Sequence, residues 1–225
     1  DDEEICERGE CPKMCHCISN AMTCKFQSLT EIPFLTINIR AIVFFGNNIT
    51  VWNGGYHQYS WIFRLIIAQN GIFHIRPYSF HNFKALQDLD LQLNKLQALV
   101  PYTFSGLERL QTLNLNGNPL IHICTHAFRS LNNAKKLYIV AAYMRRLQYE
   151  TFEHLVTLRH IDVSQNKIYF IGSSTFYPTL QLRLINTSVN PIMKLPLKIF
   201  PHLVYLEGLY ATDFRLCCAM ELKLC

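Results

Sequence analysis

Residues 86–94 read LQDLDLQLN, and residues 110–118 read LQTLNLNGN. Laid one on the other, the two stretches keep leucine at the first, fourth and sixth places and asparagine at the ninth. A third copy, LRHIDVSQN at 158–166, exchanges two leucines for isoleucine and valine and keeps the asparagine. Asn70, Asn94, Asn118, Asn166 and Asn190 all fall on one 24-residue register, with Ala142 at the remaining position. Ten residues after each register position stands a phenylalanine: Phe80, Phe104, Phe128, Phe152, Phe176 and Phe200. Self-similarity at a period of roughly 20–50 residues marks a stacked repeat rather than a globular fold with its own closed core.

The frame extends backward, one residue short, to Ile39, Ile42, Phe44 and Asn47. Forward it reaches Leu206, Leu209 and Ala211, with Phe214 at the asparagine position. About eight repeats therefore occupy residues 33–216. The pattern L-x-x-L-x-L-x-x-N identifies them as leucine-rich repeats, and the expected fold is a leucine-rich-repeat solenoid. Its strands form a curved parallel sheet on the concave side, and short irregular or 3-10 segments return on the convex side. Strand side chains alternate, so the frame leucines enter the core while the residues between them face outward. Apolar residues two and five places after the asparagine, such as Ile72 and Ile75 or Leu96 and Leu99, also point inward.

Each asparagine turns the chain away from the sheet, and its amide can satisfy backbone groups that stacking would otherwise bury unpaired. Ala142 cannot do this, and the fifth repeat also has Ala134 at a leucine position, so this coil is expected to be weak or bent. The phenylalanine register reads as a stacked core spine.

A solenoid exposes its core at both ends and needs caps. The front end offers CPKMCHCISNAMTC at 11–24, in C-x3-C-x-C-x6-C spacing. This resembles the N-terminal flanking cap of extracellular leucine-rich-repeat proteins and sets a cap over 11–32. The resemblance implies disulfides Cys11–Cys17 and Cys15–Cys24. A zinc site helped by His16 is the other reading of the same spacing, and an oxidising compartment argues against it.

Two shorter stretches carry a further resemblance. DDEEIC at 1–6 resembles the last turn of a low-density-lipoprotein-receptor class A module. Asp2 and Glu3 stand at its calcium-binding positions, Cys6 is its final cysteine, and Asp1 departs from its serine. A solvated acidic terminus is the plain alternative. DFRLCCAM at 213–220 is similar to the start of the hinge in leucine-rich-repeat G-protein-coupled receptors, placing Cys217, Cys218 and Cys225 in a cysteine-rich segment at 217–225. A class A module, a repeat array and such a hinge follow one another in the relaxin-family peptide receptors and their invertebrate relatives. That resemblance implies a hormone-binding ectodomain on the extracellular face of the plasma membrane. It also implies a transmembrane domain beyond the C-terminus, with G protein engaged only through that part. A secreted or matrix leucine-rich-repeat protein that mediates protein–protein interaction is the competing reading.

Composition agrees with an extracellular chain. Eight of the nine cysteines crowd the two ends, with Cys124 alone in the middle, and sequons stand at Asn48-Ile49-Thr50 and Asn186-Thr187-Ser188 as candidate glycosylation sites. The acidic start cannot be a signal peptide, so a mature ectodomain or a piece of one is expected. The net charge of +5 is scattered rather than gathered into a basic block, and nucleic acid is not an expected partner. No nucleophile motif or phosphate loop appears, so neither an enzyme nor a cofactor is expected. Cys124 reads as a buried free thiol. The surrounding HICTH brings His122 and His126 close in sequence, but no metal site is expected there.

Ligand recognition in such a fold belongs to the outward residues of the sheet. Asp88 and Asp90 form an Asp-x-Asp pair in the third repeat, with Ile66, Gln92, Asn114, Tyr138 and Asp162 on the same face. Like charges two apart on one strand face require solvent or a cation. The receptor resemblance implies that basic side chains of a peptide or protein hormone meet this acidic pair, with apolar contacts beside it.

Overall fold

The computed structural model describes residues 11–33, 39–54 and 59–211. The stretches expected to be a class A module end at 1–6 and a hinge at 217–225, and the register position Phe214, lie outside the described residues. Eight strands, one per repeat, run parallel: Ala41–Phe45, Arg64–Ile66, Asp88–Asp90, Thr112–Asn114, Lys136–Tyr138, His160–Asp162, Leu184–Asn186 and Gly208–Tyr210. Most are three residues long and bury only the middle one, as the period of two requires. Leu65, Leu89, Leu113, Leu137, Ile161 and Ile185 are each at most 1% exposed, so this one row of side chains forms the sheet-side wall of the core.

The front cap adds two strands of its own and makes the sheet ten-stranded. Ala21–Lys25 pairs in parallel with Ala41–Phe45, and His16–Ile18 closes the edge as an antiparallel partner. An exposed sheet edge invites pairing with another chain, and a short reversed edge strand blunts that template. Cys11–Cys17 and Cys15–Cys24 are disulfide-bonded across Cα separations of 5.6 and 4.4 Å, which leaves none of these thiolates for zinc.

The return side is more ordered than the sequence reading anticipates. Three two-stranded parallel sheets join the repeats in twos: Val51–Trp52 with His74–Ile75, Ala98–Leu99 with His122–Ile123, and Arg146–Leu147 with Phe170–Ile171. The expected 3-10 return segments include Tyr149–Phe152 in the fifth repeat and Leu197–His202 in the seventh. The phenylalanine rings stack at 6.0 Å for Phe80–Phe104, 5.9 Å for Phe104–Phe128 and 5.8 Å for Phe152–Phe176. Phe200 departs from the expectation: it is only half-buried, and Ile199 beside it takes the inward position in the 3-10 helix.

The asparagines do what their chemistry allows. Asn94 donates to the carbonyls of Ile67, Leu91 and Gln92, and its Oδ1 accepts from the Ile72 N–H of the preceding repeat. Asn70, Asn118, Asn166 and Asn190 repeat this pattern, so each side chain ties its own turn to the coil before it. The residue before each register position lies in the left-handed region: Gly46, Gln69, Leu93, Gly117, Ala141, Gln165 and Val189, with φ between 51° and 66°. At Gly117 a Cβ would stand 2.7 Å from Leu93 Cδ2, the tip of an exposed side chain that would have to swing aside.

The fifth repeat is not bent. Lys136–Tyr138 pairs in register with strands on both sides, and Ala141 keeps the left-handed turn at φ 55°. Ala142 removes one rung of the side-chain ladder, and the backbone compensates. The Leu120 N–H, which an asparagine at 142 would accept, turns instead to the Asn118 carbonyl at 2.7 Å. The Leu115 and Ile139 carbonyls keep one amide partner each, from Asn118 and Asn166. Cys124, expected to be buried, is a half-buried free thiol, since its segment runs along the surface beside the Ala98–Leu99 strand.

Candidate ligand-recognition face

Strand register sets the outer face of the sheet into rows. One row runs Val43, Ile66, Asp90, Asn114, Tyr138, Asp162, Asn186 and Tyr210, one residue per repeat. Beside it run Arg64, Asp88, Thr112, Lys136, His160 and Leu184. The third repeat lies near a depression of about 340 Å³ lined by Arg64, Ile66, Asp88, Leu89, Asp90, Thr112, Asn114 and Tyr138. Five of the seven residues proposed from sequence thus share one cleft. Gln92 borders it through Asp90. Asp162 stands one strand beyond, opposite Tyr138, and faces the other way chemically: its carboxylate accepts from Ser164 N and from Asn186 Nδ2, both at 2.9 Å.

The two acids of the pair are not equivalent. Asp88 is paired with Arg64, whose Nη2 lies 3.3 Å from Oδ2, and both side chains reach solvent. Such an exposed pair contributes about 0–1 kcal/mol, so Arg64 is a partner that another cation can displace. Asp90 is more enclosed. Burial raises its carboxyl above the ordinary carboxylate range, and hydrogen bonds from the Gln92 N–H and the Asn114 side chain hold part of that rise down. Gln92 bonds both oxygens, from its backbone at 2.9 Å and from Nε2 at 3.1 Å. Asp90 is therefore oriented, partly desolvated and without a cationic partner of its own in this cleft.

Arg64 and Thr112 belong to the cleft and were missed as site residues. Parallel pairing alone places both beside Asp88, so the repeat alignment held the signal for them. Charge changes sign further along the sheet. Lys135, Lys136, Arg159 and Arg183 follow one another over the fifth to seventh repeats, and Arg183 pairs with Glu207 at 2.6 Å. Between them burial lowers His160 below the usual imidazole range; Lys136 pushes it the same way, Glu207 offsets part of this, and Arg183 and Arg159 add to the lowering.

The two sequons differ in setting. Asn48 is exposed at a turn edge. Asn186 is half-buried within the sheet face, with Nδ2 donating to Asp162 and Oδ1 accepting from Ser188 N and Oγ. On the opposite side of the coil, His126 does not meet His122, its neighbour in the sequence. It meets His154 and Glu153 of the next repeat. Among the described residues no helix is long and apolar enough to cross a membrane.

The leucine rich repeat family model matches residues 63–120 and 109–168. No curated protein sequence matches the chain. Among solved structures, TLR13 in its complex with ssRNA13 superposes with a TM-score of 0.73 at 22% identity, over 76% of this chain and 24% of that one. Human 5T4 (Wnt-activated inhibitory factor 1, trophoblast glycoprotein) superposes with a TM-score of 0.73 at 22% identity, over 92% of this chain and 82% of its own. At that identity the likeness is one of fold. The chain spans about a quarter of the length of the TLR13 structure.

Proposed function

We propose that this leucine-rich-repeat protein is an extracellular recognition region for a peptide or protein hormone, serving a G-protein-coupled receptor. The disulfide-bonded N-terminal cap is consistent with an extracellular setting, and the fold is typically a non-enzymatic binding domain. The observation that carries the reading is the cleft on the third repeat. There a partly desolvated Asp90 is held in place by Gln92 and Asn114, Ile66 and Tyr138 offer apolar contact, and Asp88 is occupied only by an exposed arginine. A ligand with a basic segment fits all three features. Its cation would approach Asp90 and displace Arg64 from Asp88, while apolar side chains cover Ile66 and Tyr138.

Charge here steers and selects as well as binds, and salt weakens the encounter. Removing one partner of a desolvated charge pair costs about 2–5 kcal/mol of binding. The test is binding of relaxin-type peptides, which carry basic segments, to wild-type protein and to three variants whose thermal unfolding shows a native fold. Asp90→Asn should weaken binding by that amount, Asp88→Asn by less, and Arg64→Ala should strengthen it by releasing Asp88. Equal affinity across the set, at low and moderate salt, would move the binding site off this cleft. The receptor assignment has its own check in the coding sequence after Cys225: seven apolar helices support it, and a stop codon favours a secreted or matrix protein.

A further inference from the structure

His126 Nδ1 and His154 Nε2 face each other at 3.1 Å across two successive repeats. Glu153 Oε2 lies 3.5 Å from the first and 3.8 Å from the second. That oxygen is buried and accepts no hydrogen bond. All three ligand atoms lie within 4.8 Å of one another. From this geometry we propose a zinc site that clips the fourth repeat to the fifth, on the turn side of the solenoid and apart from the recognition face.

The distances suit a tetrahedral ion. With zinc–nitrogen bonds of ~2.0–2.1 Å, two ligand atoms at the tetrahedral angle stand about 3.3–3.4 Å apart. The three observed separations bracket that value and outline one face of such a tetrahedron, whose fourth corner takes water. The donor set of two imidazoles and one carboxylate suits a borderline ion with nitrogen and oxygen preference. Two facing ring nitrogens are otherwise an awkward pair. Neutral rings must place a single N–H between them, and protonated rings would set two cations in contact with one carboxylate to offset them. An ion takes both lone pairs and the orphaned Glu153 oxygen at once, releasing any proton held between the rings.

The left-handed backbone of both histidines is common to their positions in the repeat. Tyr78 and Tyr102 precede His126 in one register, and Gly106 and Ser130 precede His154 in another, all with positive φ. Position matters more. The junction of the fourth and fifth repeats is where Ala142 lacks the amide rung. It is also where the return-side sheets do not join, since they pair the third repeat with the fourth and the fifth with the sixth. A metal bridge there supplies a link that the side-chain ladder omits.

The experiment uses chelator-stripped protein and Zn2+ as the probe, read by calorimetry and thermal unfolding, with Co2+ as a spectroscopic substitute. Wild-type protein should bind one equivalent and unfold at a higher temperature with zinc. His126→Gln and His154→Gln should each weaken binding by more than about 100-fold, beyond the 10–100-fold typical of changes outside the ligand shell. Glu153→Gln should weaken it less, and His122→Gln, on the adjoining strand, should not change it. Cobalt should give the intense visible bands of a tetrahedral nitrogen and oxygen site. No saturable binding, wild-type affinity in His154→Gln, or a thiolate charge-transfer band with cobalt would each overturn the proposal. Should a glutamine variant fail to fold, the cobalt spectrum of the wild type decides alone.

Discussion

The turn side of the coil and the outer face of the sheet are built from the same repeats and obey different rules. On the turn side, most repeats place the same residue against the same neighbour, with Ala142 and Phe200 as the departures. Phenylalanine stacks on phenylalanine, and each asparagine amide reaches the carbonyls of its own turn and the coil before. On the sheet face, the row through Asp90 changes chemistry at every step, from isoleucine to aspartate, asparagine, tyrosine and aspartate. Stacking demands identity where side chains bury against their own copies, and leaves the outward positions unconstrained. Recognition can therefore vary without cost to the fold.

The comparison breaks most sharply at the phenylalanines. Phe128 is 2% exposed and stacked on Phe104, so Phe128→Ala should destabilise by about 3–5 kcal/mol. Phe200→Ala should cost clearly less, because that ring is half-buried on a 3-10 helix. Chemical denaturation of the two variants checks both. Equal losses would show that register alone, rather than burial, sets the energy.

Next in size is the amide ladder. Asn94→Ala leaves the Ile72 N–H without its acceptor and withdraws a donor from three carbonyls, at about 1–3 kcal/mol for a buried group left unsatisfied. Ala142→Asn tests the reverse. The added amide can reach the carbonyls of Leu115 and Ile139, but Leu120 must give up its bond to Asn118. A gain of no more than about 1 kcal/mol is expected, the net worth of an ordinary hydrogen bond. A loss on thermal unfolding would mean that the local turn at Leu120 is preferred to the ladder.

These two tests also mark what the sequence could disclose. Leucines, asparagines and phenylalanines announced the solenoid because a buried register admits few residue types. The left-handed turn before each asparagine was hidden, because Gln69, Leu93, Gln165 and Val189 occupy it as readily as the two glycines do. The face was legible as a face, since alternation fixes which residues point outward. Its chemistry was legible only in part: Asp88 and Asp90 looked like twins, and only the neighbouring strands show that one is held by Arg64 and the other by Gln92. His154 lies 28 residues from His126, too far for spacing to suggest the contact.

The smallest effect separates the twin carboxylates. Burial raises the Asp90 carboxyl in the folded protein above the roughly 3.9 of an unfolded aspartate, so between those values the folded state holds more proton than the unfolded one. Stability at this site therefore falls as pH rises through that window, and a constant penalty remains above the folded value. In Asp90→Asn the slope disappears. The variant should unfold slightly above wild type at neutral pH, with the gap closing as the pH is lowered toward 4, as paired thermal scans would show. A gap that widens on acidification would mean that the bonds from Gln92 and Asn114 outweigh burial and hold the carboxyl below its usual range. Ligand binding should show the opposite slope. A cation beside Asp90 favours the ionised form, so affinity for a basic peptide should fall over the window in which the protein itself gains stability. Opposed slopes of binding and stability at one carboxylate are what a recognition residue, as distinct from a stacking residue, is expected to show.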